Sequence, residues 1–288
     1  MKNTKIITLF SIVICLVFTG CRQVTEKDID TSKFDSIVQF ETYRIEGERC
    51  LVYVNPYVED EEPMLVKNQY SVVWPKEGLM TDDALRALMS RYFGEIDATD
   101  MESVAEQWLN DVWILDNPEA KGKKVDAIDE NKNFNYTSVK SECRQDGKIA
   151  TFIINDEWYG AGAAHGLYAT SYLQVEIESG EVIHITDLID TTLLGEVIVR
   201  AVEDLVVNKD VLENIFDEYK ETERLPVPPD FYIDSTRSAI TLVYQIYHIA
   251  PYACGIQEVV LPIFWLSKHI PLTPYAKRIF GPGCSIDM

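Results

Sequence analysis

The chain is poor in basic residues and almost without histidine. Its 288 residues carry 26 lysines and arginines against 47 aspartates and glutamates, and four histidines. A formal charge of −21 repels nucleic acid and anionic membrane surfaces, and it attracts and orients a basic protein. The same charge also serves plain solubility. His165, His184, His248 and His269 have no paired spacing and no C-x-x-C occurs, so no metal site is expected, and no cofactor. G-x-S-x-G, H-E-x-x-H and S-x-x-K are all missing, which removes the common nucleophile and zinc-hydrolase signatures. There is no internal repeat, no low-complexity run and no apolar run beyond the amino terminus long enough to span a membrane.

What the amino terminus does contain is an export signal. Lys2 and Lys5 precede an apolar run at 6–18, and the run ends in "FTGC" at 18–21. Gly20 before Cys21 resembles a bacterial lipobox, in which Cys21 takes the lipid and becomes the mature terminus. Arg22, where an inner-membrane lipoprotein often has aspartate, favours the outer membrane in a host that has one. The organisation expected is a signal peptide at 1–20, a polar lipidated tether at 21–36, an α+β domain at 37–133 and a second α+β domain at 134–288.

With Cys15 lost in the signal and Cys21 lipidated, Cys50, Cys143, Cys254 and Cys284 remain. An even number outside the cytoplasm points to two disulfides with three possible connectivities, and Cys50–Cys143 with Cys254–Cys284 is favoured.

Strands are expected at 49–58 and 68–75, followed by a helix from the N-cap Thr81 to the stop Gly94. Thr99 and Glu102 have capping-box spacing for a second helix running through Trp108 and Trp113, and 116–133 is a polar excursion. "FNYTSVKSEC", "KIATFIINDEWY", "LYATSYLQVEI" and "EVIHIT" read as strands, with hairpin turns at 145–147 and 178–180. Helices follow from about Asp190 and Asp210, then the strands "SAITLVYQIYHIAPYACG" and "IQEVVLPIFWL", then a proline-rich tail. Elements in clusters, without regular βαβ alternation, indicate an α+β fold of antiparallel sheets with packed helices in two contiguous subdomains.

The most unusual stretch is "DEWYGAGAAHGLY" at 156–168. A phosphate loop needs a helix after it, and a strand follows instead. His165 as a general base needs an orienting carboxylate, for which Asp156 and Glu157 are near in sequence. The structural alternative is a tight turn in which small residues let backbones approach and His165 bonds nearby carbonyls, with Tyr159 and Tyr168 beside it.

Ala164-His165-Gly166, then "SGEVIHITDLI", then "YHIAPYACGIQEVVLPIFWL" together resemble a known extracellular domain. It ends the lysozyme-sensing anti-sigma factor RsiV and occurs in the deacetylase PdaC outside its catalytic part. Gly180, Asp187 and Leu188, and then Tyr247, Ala250, Pro251, Tyr252, Gly255 and Pro262, carry the likeness over about 134–268. Ala163, His248 and Cys254 depart from the pattern. The region at 37–115 is similar to the companion domain through "YSVVWP" and the helix after it.

The resemblance implies a lipid-anchored envelope protein that binds a basic, lysozyme-like extracellular protein or a cell-wall glycan, a binder more than a transducer. Gly160, Gly162, His165, Gly166 and Tyr252 are the candidate binding loop, and no catalytic residue is expected. The alternatives are a glycan hydrolase or deacetylase using His165, and a structural envelope lipoprotein.

Overall fold

The structure is a computed structural model describing residues 39–54, 62–95, 100–111, 122–129, 134–236 and 238–281. The signal, Cys21, the tether, Thr99, Trp113, Cys284 and most of the excursion at 116–133 lie outside the described residues.

β1 (Thr42–Tyr53) and β2 (Met64–Pro75) pair antiparallel over their whole length. Gly47 in β1 is covered by the ring of Tyr70, and a Cβ there would lie 2.5 Å from it. α1 (Asp82–Phe93) begins where Thr81 accepts from Ala84 N at 3.3 Å and ends at Gly94, φ 75°. α2 (Met101–Leu109) is capped by Asp100, whose carboxylate accepts from Ser103 N at 2.8 Å. The cap therefore falls one residue after Thr99, and aspartate serves equally well there.

β3 (Lys123–Val125), β4 (Asn135–Asp146), β5 (Ile149–Tyr159) and β6 (Leu167–Glu176) complete a six-stranded sheet in the order β3-β1-β2-β4-β5-β6. The pair β2–β4 is parallel, against the expectation of wholly antiparallel sheets. The crossover between them contains α1 and α2, which cover one face of the sheet, as a parallel connection requires. Leu88, Met89, Tyr92, Phe93 and Trp108 pack there against Val72, Val139, Phe152 and Ile154. The hydroxyl of Tyr92 donates to Val73 O at 2.6 Å and accepts from Ser141 at 3.1 Å, so its burial leaves no unpaired polar atom.

The second layer is a three-stranded antiparallel sheet, β7 (Asp230–Asp234), β8 (Ala239–Tyr244) and β9 (Gln257–Pro262). Around it run α3 (Ile185–Leu188), α4 (Leu194–Asp204), α5 (Lys209–Asn214), α6 (Asp217–Thr222), α7 (Ile263–Leu266) and α8 (Pro274–Phe280). Leu194, Ile198, Ala201 and Val202 of α4 bury one stripe against Ile240, Leu242, Val259 and Leu261. The fold is α+β.

Several local expectations need correction. The "EVIHIT" segment forms only a bridge at Val182 before it turns into α3, where Asp187 accepts from His184 N at 2.7 Å. The helix expected from about Asp210 breaks at Ile215, which is extended (φ −61°, ψ 139°) and buried in the core. Phe264-Trp265-Leu266 turns helical, and the proline-rich tail starts α8 with Thr273 as N-cap and Pro274 in the first turn, where its missing N–H costs nothing.

The favoured Cys50–Cys143 disulfide is not formed, and Cys50, Cys143 and Cys254 are free thiols. Cys50 lies opposite Lys67, and Lys67 opposite Tyr136, so Cys143 sits seven residues further along β4. That is roughly 23 Å along the strand, far beyond the ~7 Å limit on Cα separation for a disulfide.

Three side-chain amides, Gln174 and Asn208 buried and Gln245 half-buried, organise the strand edges. Gln174 of β6 accepts from Ile233 N at 2.7 Å and donates to Phe231 O at 3.2 Å, standing in for a strand beside β7. Gln245 does the same for β6, accepting from Thr170 N at 3.0 Å and donating to Thr170 O at 2.8 Å. On β9, Asn208 accepts from Val260 N at 2.8 Å and donates to Val260 O at 3.1 Å. A primary amide has the same donor and acceptor pair as a peptide, so each closes an otherwise unpaired backbone position. The described residues form one compact unit, and the large sheet takes strands from both sides of position 133.

Candidate functional site

The glycine stretch is the β5–β6 connection. Gly162 has φ 80°, and Ala163 N donates back to Gly160 O at 2.9 Å. Asn135 of β4 accepts from Ala161 N at 2.7 Å, and Tyr159 donates to Ala163 O at 3.2 Å. At Gly166 a Cβ would stand 2.8 Å from Trp158 O, a contact with backbone that nothing can relieve.

His165 is exposed, with Nδ1 3.0 Å from Gly166 O. Its ring stacks on Tyr252 at 4.0 Å and 23°, and Tyr252 donates its hydroxyl to Gly166 O at 2.9 Å. The loop and the "APYACG" turn, 86 residues apart, are thus one unit, and Pro251 opens the short 3-10 turn that presents Tyr252. Among the described residues no carboxylate contacts the imidazole, so neither Asp156 nor Glu157 orients it. Cys254 lies half-buried in the same turn.

Tyr168 meets Tyr252 edge-on at 6.0 Å and Tyr247 meets it at 5.6 Å, extending the aromatic cluster away from the loop. Tyr247 is 53% exposed and has φ 65°, a left-handed conformation that costs a bulky residue of order 1 kcal/mol. The turn is held on both sides: His248 N donates to Gln245 O, and Tyr219 donates to His248 O.

Tyr168 and Tyr247 also form one wall of a cleft of about 680 Å³. The end of α1, Trp108, Trp158 and the exposed ends of β4 to β6 supply the rest. Three charged groups meet at its inner side. Asp230 is 4% exposed and fully engaged: Arg91 donates to it at 2.7 Å, Gln245 at 3.2 Å and Tyr172 N at 3.3 Å. Asp156, half-buried, has no hydrogen-bond donor among the described residues. Burial first, and the neighbouring Asp230 second, push its carboxyl up to about 7, while Arg91 pulls the other way. Glu157, the next residue of β5, is exposed and points to the opposite face of the strand.

The structure therefore joins the predicted loop residues Gly160, Gly162, His165, Gly166 and Tyr252 into one scaffold beside the cleft. Asp156 entered the sequence reading only as a partner for His165, and Arg91, Asp230 and Gln245 did not enter it. Arg91 and Asp230 are 139 residues apart, and no local pattern marks them. Among the described residues no cluster of histidine, cysteine and carboxylate is arranged to hold a metal ion.

Residues 195–263, from α4 to the start of α7, match the family described as "Protein of unknown function (DUF3298)". The "APYACG" turn falls inside the matched segment and the glycine loop outside it. No curated protein matches the chain. A DUF3298 family protein from Pseudomonas aeruginosa PAO1 has a similar fold, with TM-score 0.52 and 14% identity over 83% of this chain and 97% of that one. A member of the same family from Bacteroides fragilis NCTC 9343 gives 0.53 and 16%, covering 82% and 94%. At these identities the likeness is one of fold.

Proposed function

We propose that the chain is a cell-envelope protein, lipid-anchored through Cys21, whose folded part binds a basic extracellular protein of the lysozyme kind. The observation that carries this reading is the cleft, in which tyrosines and tryptophans surround Asp156, a carboxyl with no donor among the described residues, on a chain with 47 acidic and 26 basic side chains. Such a surface attracts a cationic partner at long range and offers its side chains aromatic faces at contact. The resemblance to the extracellular domain of RsiV points the same way. Binding is favoured over turnover because His165 is spent on its own loop, with a backbone carbonyl and Tyr252 as its partners.

The test is binding of the purified chain to immobilised lysozyme and to insoluble peptidoglycan, each at low and high salt. Lysozyme binding that weakens with salt is expected. Binding to neither at low salt refutes the proposal. Salt-insensitive binding to peptidoglycan alone would establish the second reading, a wall-glycan binder, which the exposed Tyr168 and Tyr247 favour. Release of wall fragments that stops in His165→Ala would establish the hydrolase reading. Anchoring has its own test, since Cys21→Ala should move the protein from the membrane fraction to the soluble one.

A further inference from the structure

We infer that the cleft beside α1 is a receptor for a guanidinium group, the side chain of an arginine on a bound protein, with Asp156 as its counter-ion. The inference rests on the proposed function and adds the chemistry of recognition.

Most polar groups at the inner side of the cleft are already used. Asp230 is held by Arg91, Gln245 and Tyr172 N, and Gln245 is held in turn by Thr170. Asp156 is the half-buried carboxylate among them that has no donor from the described residues, whereas Glu157, equally without one, is exposed to water. An apolar occupant would strip water from the Asp156 carboxylate and return nothing, and an anion would meet the charges of Asp156 and Asp230 against that of Arg91 alone. A hard cation such as calcium needs six or more oxygen ligands, which one unengaged carboxylate does not supply. A guanidinium satisfies both needs of the site, since its fork matches a carboxylate and its plane stacks on aromatic rings such as Trp158 and Tyr247. The volume, about 680 Å³, is within the ordinary range for a small-ligand pocket.

The charged groups acting on Asp156 are Asp230 from β7 and Arg91 from α1, while Glu157, the next residue of β5, and its register partner Tyr168 project from the opposite face of the sheet. Burial and Asp230, opposed by Arg91, push its carboxyl up to about 7, so binding should follow its ionisation. An affinity that needs the ionised carboxylate is expected to fall about thirtyfold between pH 8.5 and pH 5.5.

The experiment titrates the full chain, in mild detergent, with N-acetyl-arginine amide, with its neutral isostere N-acetyl-citrulline amide and with chitotriose. Arginine amide should bind at pH 8.5 at least tenfold more tightly than citrulline amide. In Asp156→Asn that preference and the pH dependence should both disappear, which separates Asp156 from the histidines. Tyr247→Ala, at an exposed position, should weaken arginine amide several-fold with an unchanged circular dichroism spectrum, and it serves if Asp156→Asn fails to fold. Equal binding of citrulline amide, unchanged binding in either variant, or binding of chitotriose alone would overturn the inference. Lysozyme binding that ignores arginine amide and Asp156→Asn sinks this inference and leaves the proposed function standing. Arginine amide binding without lysozyme binding does the reverse.

Discussion

Replacing Asp156 by asparagine should stabilise the protein, and only above a definite pH. The carboxyl of Asp156 is raised from 3.8 to about 7, so the folded chain keeps a proton that the unfolded chain has lost. Between those two values the unfolded state binds fewer protons, and this group makes stability fall as pH rises from about 4 to about 7. The stability it allows is fully present below the unfolded value and is lost as pH passes the folded one. The whole displacement corresponds to about 4 kcal/mol. Water reaching the open side of a half-buried carboxylate screens roughly half of this, leaving about 2 kcal/mol. For a body of this size that is a rise in Tm of about 4–8 °C. The assay is thermal and urea unfolding of residues 22–288, which contain the whole compact unit, followed by tryptophan fluorescence at pH 4 and pH 8.5. The variant and the parent should nearly coincide at pH 4, and the variant should be the more stable at pH 8.5. An offset of equal size at both values, or a less stable variant at pH 8.5, would refute the reasoning, because it would mean that the folded state supplies Asp156 with donors.

Gly166→Ala forces a Cβ to 2.8 Å from Trp158 O and should cost about 1–3 kcal/mol in urea denaturation, whereas Gly147→Ala, with φ 57° but open space, should cost about 1 kcal/mol. Asn208→Ala leaves the N–H and carbonyl of Val260 buried without partners and should cost about 2–4 kcal/mol; a loss below 0.5 kcal/mol would mean that β9 finds another partner. Cys143, whose thiol burial pushes up to about 12, should resist alkylation in the folded protein and react in urea without reductant, as Cys50 should; unreactive thiols in urea would mean that they are bridged.

The parts of the fold that were legible in the sequence are those governed by local chemistry. Thr81 and Gly94 bracket α1 because a cap and a left-handed stop act within four residues, and the turn at Gly147 follows the same logic. The two long hairpin strands β4 and β5 alternate strongly enough to be read. Where tertiary contacts decide, the reading failed: Ile215 leaves helical geometry to enter the core, and β7, only five residues long, carries no pattern that marks it. The parallel pairing of β2 with β4 depends on where α1 and α2 dock, which no window of residues contains. The site divides in the same way. The glycine loop was visible because it is compositionally odd, and Tyr252 because a known pattern includes it. Asp156, Arg91 and Asp230 come from β5, α1 and β7, and only the fold brings them together.

The amides of Gln174, Gln245 and Asn208 have a consequence for how many copies of this chain can be held close together. A strand with open N–H and carbonyl groups is a template on which a neighbouring molecule can add its own strand. On β6, β7 and β9 those groups are taken within the strand by side chains of the same chain, and a neighbour would have to displace a paired amide to begin. Crowding at a surface, where local concentrations are high, should therefore not drive edge-to-edge polymerisation through these strands, and the acidic surface adds mutual repulsion to that seal.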